Sequence, residues 1–404
     1  MTKKRLVQIN TVINTGSTGR IAEEIGAKAI TNGWDSYIAF GRNEKISKSY
    51  KLKIGNDWDI RMHGIQTRLF DNHGFASTSA TQEFVRKLDK IHPDIVHLHN
   101  LHGYYLNIKI LMDYLRKTDI PVVWTFHDCW PITGHCVYFD YVGCDKWKTQ
   151  CCKCPQKSTY PSSYFIDRSV KNFNLKKDLF RSLPNLMIIP VSNWLTDIVA
   201  KSFLKNYPIK VIHNGVDTEK FKPFHEDTLR KKYNLEGKFI LTGVAGVWSP
   251  RKGLHDFIEI SSRLSFDCQI VLVGLSRKQI RTLPKNIIGI EQTESINQLA
   301  EIYSTSDVFL NLTYEDNFPT TNIEALACGT PVITYRTGGS PEAITPDTGF
   351  VIDKGDLLSL RKTIDTIKGK GKESYTKACR LRAETMFNKN DRYNEYIELY
   401  ENLL

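Results

Sequence analysis

The sequence predicts an α/β protein built from two parallel, doubly wound domains. Short apolar runs alternate with longer segments of helical spacing along most of the chain, which is the pattern of β-α-β units. This pattern starts again with a fresh apolar run near residue 238. At 404 residues the chain is also longer than one hydrophobic core usually supports. We therefore expect an N-terminal domain over 1–215 and a C-terminal domain over 216–387.

Five apolar runs in the first half predict parallel strands. They lie at residues 4–13, 36–40, 94–98, 121–126 and 186–191. Residues that follow parallel strands meet at one edge of the sheet, where α/β proteins bind their ligands. His99, Asn100 and His102 follow one predicted strand, and His127 follows the next. A single histidine is more often a structural residue, but the shared location at strand ends favours a site.

A turn that contains glycine connects the first predicted strand to the first helix. Gly16, Ser17 and Gly19 lie in this turn, and the helix is expected to begin at Ile21. Glycine lets a ligand come close to backbone N–H groups at such a place. A purely structural turn has the same composition, so both interpretations stay open.

Residues 129–155 form an insertion rich in cysteine and aromatic residues. Six of the nine cysteines lie between Cys129 and Cys154. Four of these six are candidate zinc ligands and include a C-x2-C pair: Cys136, Cys144, Cys151 and Cys154. Four thiolates can hold a structural zinc ion, although reduced thiols packed in a loop fit the same spacing. A disulfide is the least expected arrangement, because the N-terminal residues do not have the pattern of an export signal.

The second half begins with a strand and a loop that carries two cations. The strand is predicted over 238–245, and Arg251 and Lys252 follow in a loop bounded by glycine and proline. Adjacent cations after a strand suit a diphosphate group, although a solvated surface would look the same. A later strand is predicted over 269–274 and ends at Gly274, so Gly274 also lies at the end of a strand, where a loop on the nucleotide side is expected.

Residues 306–335 contain a strand, a loop, a helix and a second strand, which is the repeating unit of a parallel sheet. The helix is predicted from Thr320 to Cys328. Its amino terminus presents unpaired N–H groups and partial positive charge, which favour a phosphate. Asp316 lies in the loop and Glu324 in the helix. Taken singly, Asp316 could merely start the turn and Glu324 could merely cap the helix.

The same segment resembles the signature of glycosyltransferase family 4. In that family two acids are separated by seven intervening residues, and the segment ends in an EALACGTPVI-like run. Here Asp316 and Glu324 take the two acidic positions, with Asp replacing the usual first Glu. Further similarity covers residues 211–224, 121–155 and 338–342. The resemblance implies the GT-B fold, in which two Rossmann-like domains face each other across a cleft, and sugar transfer with retention of anomeric configuration. It also implies that the C-terminal helix, 388–404, crosses back to the first domain.

The resemblance implies a role for each matching residue. Glu324 would hold the nucleotide ribose, and Asp316 with the backbone of Asn317 and Phe318 would contact the donor sugar. Lys252 would neutralise the leaving diphosphate. The other expected donor-binding positions are Gly16, Ser17, Gly19, Gly274, Pro319, Thr320 and Thr321.

The resemblance also bears on the second cation and on His127, whose placement is similar to that of the family's histidine after its central strand. The family usually has an arginine six positions before the lysine, where this chain has Gly246. Either Arg251 supplies the second cation, or phosphate binding is weaker than is usual in the family. His127 would contact the donor sugar near the transferred carbon and would not act as a base. Catalysis would require no metal or other cofactor, so a zinc ion in the insertion would be structural.

All the excess positive charge lies in the first half. Residues 1–215 hold 30 Lys and Arg against 18 Asp and Glu, whereas residues 216–404 hold 25 against 26. Such a surface suits an anionic membrane, a nucleic acid or an anionic substrate, and can also be simply solvated. With the resemblance, we expect a nucleotide-sugar donor, a glycan or lipid-diphosphate-linked acceptor, and no nucleic acid. We also expect a cytoplasmic protein in peripheral contact with the inner face of the membrane, acting in surface polysaccharide or capsule assembly.

Two other functions stay open on the sequence alone. A sugar-nucleotide epimerase of the same fold would need carboxylate acid–base residues that converge on the sugar, and the sequence does not reveal them. A non-catalytic nucleic-acid-binding protein would use the basic first half. Its affinity would fall steeply as the salt concentration rises.

Overall fold

The computed structural model describes residues 3–224 and 228–404, and the chain divides into two compact units. The first unit takes residues up to His213 together with Arg392–Leu404. The second unit takes Asn214–Asp391. Each unit contains one six-stranded sheet, so the prediction of two α/β domains with parallel sheets is confirmed.

The sheet of the first unit is parallel throughout. Its strands are β1 (Arg5–Asn10), β2 (Asp35–Phe40), β3 (Tyr50–Lys53), β4 (Ile95–Leu98), β5 (Val122–Phe126) and β6 (Leu186–Pro190). They pair in the order β3-β2-β1-β4-β5-β6. The helices between them are α1 (Gly16–Thr31), α2 (Asp57–Phe70), α3 (Thr78–Ile91), α4 (Ile108–Leu115), α5 (Ser169–Phe180) and α6 (Asn193–Ala200). β4 and β5 are buried along their whole length because helices cover both faces of such a sheet.

The glycine turn after β1 belongs to the helix. α1 begins at Gly16, so Gly16, Ser17 and Gly19 lie in its first turn. The expected start at Ile21 was therefore wrong, because glycine has a low helix propensity and weakens the helical pattern there. A Cβ atom at Gly19 would lie 3.2 Å from the backbone nitrogen of Asn14. Glycine thus lets the helix pack tightly against the segment that leaves β1.

The second sheet repeats the topology of the first. Its strands are β7 (Phe239–Val244), β8 (Cys268–Val273), β9 (Ile287–Ile290), β10 (Val308–Asn311), β11 (Val332–Tyr335) and β12 (Gly349–Ile352). They pair in parallel in the order β12-β11-β10-β7-β8-β9. Counted from its own first strand, this order equals that of the first sheet. The helices of this unit are α7 (Thr228–Tyr233), α8 (Leu254–Ser261), α9 (Arg277–Arg281), α10 (Ile296–Thr305), α11 (Thr320–Ala327), α12 (Leu357–Lys370) and α13 (Glu373–Met386).

The last helix, α14 (Lys389–Leu403), packs into the core of the first unit. Its buried tyrosines Tyr396 and Tyr400 satisfy their hydroxyl groups inside that core. The Tyr400 hydroxyl lies 2.6 Å from Nδ1 of His97, and the Tyr396 hydroxyl lies 3.1 Å from Oγ1 of Thr125. Buried tyrosines usually need such a partner. No helix in the described part of the chain is long and apolar enough to cross a membrane.

The strand order reverses at one place in each sheet. The reversal lies between β1 and β4 in the first sheet and between β7 and β10 in the second. Doubly wound sheets bind ligands at this point, outside the carboxyl ends of the strands. The segments that follow these four strands are therefore the places where a site is expected.

Candidate active site

An ion pair joins the two segments at the switch point of the second sheet. Lys252 follows β7 and Asp316 follows β10, and Nζ of Lys252 lies 2.5 Å from Oδ2 of Asp316. The side chains are 20% and 17% exposed, so a ligand can reach both. The carboxylate thus holds the ammonium group at the edge where an anionic ligand would bind.

Glycines bring the surrounding segments into direct backbone contact. Three of them have positive φ angles, and at each a Cβ atom would collide with the carbonyl oxygen of another segment. The pairs are Gly253 with Leu312 (2.0 Å), Gly274 with Ala245 (1.7 Å) and Gly338 with Asp316 (1.7 Å). Any side chain there would force the segments apart. Gly274 therefore shapes the site by its lack of a side chain.

Arg251 fastens the loop after β7. Its Nη1 donates to the carbonyl oxygen of Glu315 at 2.9 Å, and its own carbonyl accepts from the backbone N–H of Tyr314 at 2.7 Å. The guanidinium group is therefore partly engaged with the protein backbone. Gly246, at the position where family 4 usually has arginine, has no atom within 4 Å of a Cβ atom built on it.

The segment from Asp316 to Phe318 is held by its backbone. The N–H of Asn317 donates to Oδ1 of Asp316 at 2.9 Å, and the carbonyl of Asn317 accepts from the N–H of Gly339 at 2.9 Å. The Phe318 carbonyl accepts from Nδ2 of Asn214 at 3.1 Å. These bonds fix the path of the chain into α11.

Helix α11 begins without a side-chain cap. Pro319 occupies the N-cap position and makes no side-chain hydrogen bond to the first turn, where Thr320 and Thr321 lie. Such a terminus favours an anion. Glu324, one turn further, is only 6% exposed and accepts a hydrogen bond from the Tyr303 hydroxyl at 3.0 Å.

Two buried hydroxyl groups near this segment have no partner among the described residues. They are Oγ1 of Thr337 and Oγ of Ser340, which lie beside Gly338 and Gly339 after β11. Buried polar atoms in native proteins almost always have a partner, so these two are candidate donors to a bound ligand. Sequence reasoning noted the glycine pair here but did not select the hydroxyl groups.

Two neutral histidines lie at the edge of the first sheet. His99 follows β4, and its Nδ1 lies 3.0 Å from Nε2 of His127, which follows β5. The other nitrogen of His99 lies 3.0 Å from Oε1 of Gln8. An amide oxygen only accepts, so Nε2 of His99 donates to it and Nδ1 accepts from Nε2–H of His127. Burial lowers the pKa of His127 to about 4 and that of His99 well below its usual range.

A histidine–carboxylate pair lies next to these two rings. Nε2 of His102 is 2.7 Å from Oδ2 of Asp128, and Nδ1 of His102 is 3.0 Å from the Tyr160 hydroxyl. Burial alone would raise the pKa of Asp128, but His102 and the backbone N–H of Trp130 outweigh it and hold the pKa below its usual value. Sequence reasoning named His102 by position but missed Asp128 as its partner and Tyr160 altogether.

The cysteine-rich insertion gathers its thiols around one small cavity. Cys136, Cys144, Cys151 and Cys154 all line this cavity of about 10 Å³. Cys136 and Cys154 are hydrogen-bonded to each other. All nine cysteines are free thiols. Over residues 3–224 and 228–404, no three His, Cys, Asp or Glu side chains form a ready metal-ligand set.

The predicted residues fall into separate groups. Arg251, Lys252, Asp316 and the segment leading into α11 come together in the second unit. Gly16, Ser17 and Gly19 follow β1 in the first unit, and His127 follows β5 there. The four cysteines form a third group, in the insertion after His127.

The halves of the chain match two different family models. Residues 37–220 match the model described as Glycosyltransferase Family 4. Residues 225–401 match the model described as Glycosyl transferases group 1. The two matches together take in both sheets except β1 and the first two residues of β2.

Relatives in bacteria carry names from polysaccharide synthesis. The chain is 24% identical to WcaC of Escherichia coli K12, described as a colanic acid biosynthesis glycosyl transferase, over 98% of this chain and all of that one. It is 24% identical to CapM of Staphylococcus aureus, a capsular polysaccharide biosynthesis glycosyltransferase, over 54% of this chain and 62% of CapM.

Solved glycosyltransferase structures share the fold. Sucrose-phosphate synthase from Thermosynechococcus elongatus superimposes with a TM-score of 0.73 at 17% identity, over 99% of both chains. HepE from Anabaena, solved in complex with UDP, gives a TM-score of 0.70 at 15% identity, over 99% of this chain and all of HepE. The fold is thus that of GT-B enzymes. The chain belongs to the glycosyltransferases, with a family 4 region in its first half and a group 1 region in its second.

Proposed function

We propose that this glycosyltransferase moves a sugar from a nucleoside diphosphate sugar to a glycan acceptor, with retention of anomeric configuration, in surface polysaccharide synthesis. The Lys252–Asp316 ion pair at the switch point of the second sheet is the observation that carries the proposal. HepE, which has the same fold, was solved with UDP-glucose, and the names of WcaC and CapM supply the polysaccharide setting.

Lys252 has the main catalytic task in this proposal. Transfer breaks the bond between the anomeric carbon and the phosphate oxygen, so negative charge develops on the β-phosphate. A cation that is already in place stabilises this charge without reorganisation. Asp316 holds the ammonium group until the donor binds, and its carboxylate then becomes available to hydroxyl groups of the sugar. Thr337, Ser340 and the uncapped start of α11 offer further donors to the phosphates.

His127 contributes a neutral imidazole. Because its pKa is lowered to about 4, the ring is uncharged at neutral pH and is a weak proton acceptor. It is suited to hydrogen-bond a sugar hydroxyl near the reacting carbon. The acceptor hydroxyl transfers its proton to the leaving phosphate on the same face, so the reaction as proposed uses neither a protein base nor a catalytic metal ion.

The acceptor in this proposal is a glycan carried on a lipid diphosphate. The excess of Lys and Arg in residues 1–215 would favour both the diphosphate and an anionic membrane surface. Peripheral attachment at the inner face of the membrane follows from the same charge. The epimerase and the nucleic-acid-binding alternatives are set aside, because the chain belongs to the glycosyltransferases.

A donor panel tests the proposal. The purified chain is incubated with UDP-, GDP- and ADP-sugars, with and without lipid-diphosphate glycans, and the released nucleoside diphosphate is measured. We expect release with one nucleotide class and stimulation by the lipid-linked acceptor. NMR of the product should show the anomeric configuration of the donor. An inverted product would overturn the retaining mechanism, and absence of release with the whole panel would overturn the choice of donor.

A further inference from the structure

The cavity inside the cysteine-rich insertion is walled by metal-binding side chains. Five cysteines line it, namely Cys136, Cys144, Cys151, Cys152 and Cys154, and so does the imidazole of His135. The side chains of Cys136 and Cys154 are in hydrogen-bond contact, and Cys151 is close enough to interact electrostatically with both. The cavity volume of about 10 Å³ suits one water molecule or one ion.

The imidazole of His135 has the hydrogen-bonding arrangement of a metal-binding histidine, with a carboxylate on one ring nitrogen and no partner on the other. Its side chain is fully buried, and Nδ1 lies 2.6 Å from Oδ1 of Asp71, while Nε2 has no hydrogen-bond partner. A carboxylate on one ring nitrogen fixes the tautomer and leaves the other nitrogen as an electron-pair donor, which is the usual arrangement around zinc. Asp71 is itself held in place, because its other oxygen accepts from the backbone N–H of Arg168 at 2.7 Å.

Two further unsatisfied groups face the same cavity. Nε1–H of Trp147 and the hydroxyl of Ser169 are buried without a partner, and both residues line the cavity. Together with Nε2 of His135, they place three of the unpartnered buried atoms of the described residues around one small space. N–H and O–H groups of this kind can hydrogen-bond to thiolate sulfur, which is more negative than a thiol.

A buried lysine lies beside the thiols. Lys176 is 1% exposed, and its Nζ donates to the carbonyls of Trp130 at 2.8 Å and Thr133 at 3.0 Å. It is close enough to Cys136 and Cys151 to interact electrostatically with both. A metal bound by several thiolates carries net negative charge, so an ammonium group at this place would balance it.

We propose that this cavity binds one zinc ion through the thiolates of Cys136, Cys151 and Cys154 and Nε2 of His135. These donors give the tetrahedral Cys₃His set of a closed structural site. Because no such set is preformed in the described residues, binding requires the side chains to rotate toward a common point. Cys144 and Cys152 line the same cavity, but the buried Nε2 of His135 has no hydrogen-bond partner and His135 is close enough to Cys154 to interact electrostatically with it. We therefore assign the fourth position to His135, which sequence reasoning missed. The ion would tie the insertion to the end of α2 through His135 and Asp71.

Metal content and a cobalt spectrum test the site directly. The full chain is purified without chelator and analysed for zinc by mass spectrometry, with about one ion per chain expected. The ion is then removed under reducing conditions and replaced by Co²⁺ alone. Tetrahedral thiolate ligation should give charge-transfer bands in the near ultraviolet. A chain that holds no zinc and gives no such bands, or that contains a disulfide among these cysteines, would overturn the proposal.

Matched variants separate the ligands from the other thiols. Cys154→Ser should weaken zinc binding by about tenfold or more, whereas Cys268→Ser, at a buried thiol of the second unit, should leave it unchanged. Equal losses in both variants would contradict a defined site. His135→Gln should weaken zinc binding and shift the cobalt spectrum. If His135→Gln keeps the wild-type spectrum while Cys144→Ser loses it, the histidine assignment is wrong. Should Cys154→Ser fail to fold, the wild-type cobalt spectrum still decides.

Discussion

The two sheets have the same strand order but present different chemistry at their switch points. In the second unit, Lys252 and Asp316 face each other as an ion pair, with glycine-backed loops packed around them. In the first unit, the corresponding edge holds His99 and His127, whose rings are neutral because burial lowers their pKa values. One topology therefore presents a lysine–carboxylate ion pair in one half of the chain, and neutral imidazoles beside the Asp128 carboxylate in the other.

The comparison also shows that net charge does not locate the anion site. Residues 1–215 carry 30 Lys and Arg against 18 Asp and Glu, yet the cation at a switch point belongs to the half with 25 against 26. Net charge describes the long-range field of a domain and its attraction for membranes or polyanions. A phosphate that leaves during a reaction needs one cation at a defined place.

The largest effect is expected from Lys252→Ala. The change removes the cation from the switch point and leaves the Asp316 carboxylate without that partner, so the leaving phosphate is no longer stabilised. Loss of one preorganised donor of this kind lowers kcat by about 10²–10³-fold. Steady-state release of nucleoside diphosphate, measured at saturating donor, checks the value.

Lys285→Ala is the matched control, because Lys285 is an exposed lysine in the same unit. It should change kcat by less than about twofold, as surface substitutions usually have small effects. Near-normal activity in Lys252→Ala, with a large loss in His127→Ala, would contradict the proposal that Lys252 has the main catalytic role.

The second effect concerns acid stability and should be confined to the first unit. The backbone N–H of Gly74 donates to Nε2 of His63 at 3.1 Å, so Nδ1–H donates to Oγ of Ser77 at 2.8 Å and the ring is held neutral. Burial lowers the pKa of His63 to about 3. Below pH 6.5 the unfolded chain takes up this proton and the folded chain does not, so stability falls as the pH falls. Between pH 7 and pH 5, this histidine alone lowers the free energy of unfolding by about 2 kcal/mol.

Hydrogen exchange measured by mass spectrometry at pH 7 and pH 5 can follow each unit separately. Protection should fall in the first unit and hold in the second, where His255 is exposed. His63→Gln should reduce the pH dependence, because glutamine can accept from Gly74 without titrating. His92→Gln, at an exposed histidine, should leave it unchanged. Equal acid sensitivity in both units would contradict the explanation.

Sequence reasoning located the residues whose position in the fold depends only on the strand that they follow. Lys252, Asp316 and His127 each follow a predicted strand, and parallel strands bring their carboxyl ends to one edge, so their position at the sheet edges could be inferred without coordinates. The fold class was predictable for the same reason, since alternating apolar runs determine a parallel sheet. The edge strand β3 was not recognised, because Tyr50–Lys53 is short, partly charged and mostly exposed, as edge strands often are.

Residues whose significance depends on a distant partner were not predictable. Asp128 pairs with His102, His135 with Asp71, and Lys176 lies under Trp130. Each pair joins separate elements, so no spacing along the chain reveals it. The burial of Glu324 against Tyr303 is of the same kind. The sequence predicted a functional role for the Glu324 carboxylate, but it did not predict that the Tyr303 hydroxyl would donate to it.

A smaller effect is expected from Glu324→Gln. Glutamine keeps the volume and can still accept from the Tyr303 hydroxyl, so stability should change little. It loses the charge that, on the proposed function, strengthens the hydrogen bonds to the ribose. We expect the KM for the donor to rise about tenfold, or about 1.4 kcal/mol, with kcat nearly unchanged.

Tyr303→Phe separates this role from a structural one. It removes the partner hydroxyl from Glu324 and should lower Tm without the same rise in KM. If Glu324→Gln and Tyr303→Phe both lower Tm and neither changes KM, the carboxylate is a structural residue only.

The smallest effect, and the only expected gain, is Gly246→Arg. Nothing lies within 4 Å of a Cβ atom at this position, and Gly246 has no positive φ, so the backbone accepts a side chain. Arg251 is partly engaged with the carbonyl of Glu315, so a second cation here would add to Lys252. We expect a fall of a few-fold in the KM for the donor, worth less than about 1.4 kcal/mol. Gly246→Gln offers similar bulk without charge and should leave KM unchanged. If arginine and glutamine give the same KM, this edge of the second unit does not take a second phosphate contact, and Lys252 acts there as the main cation.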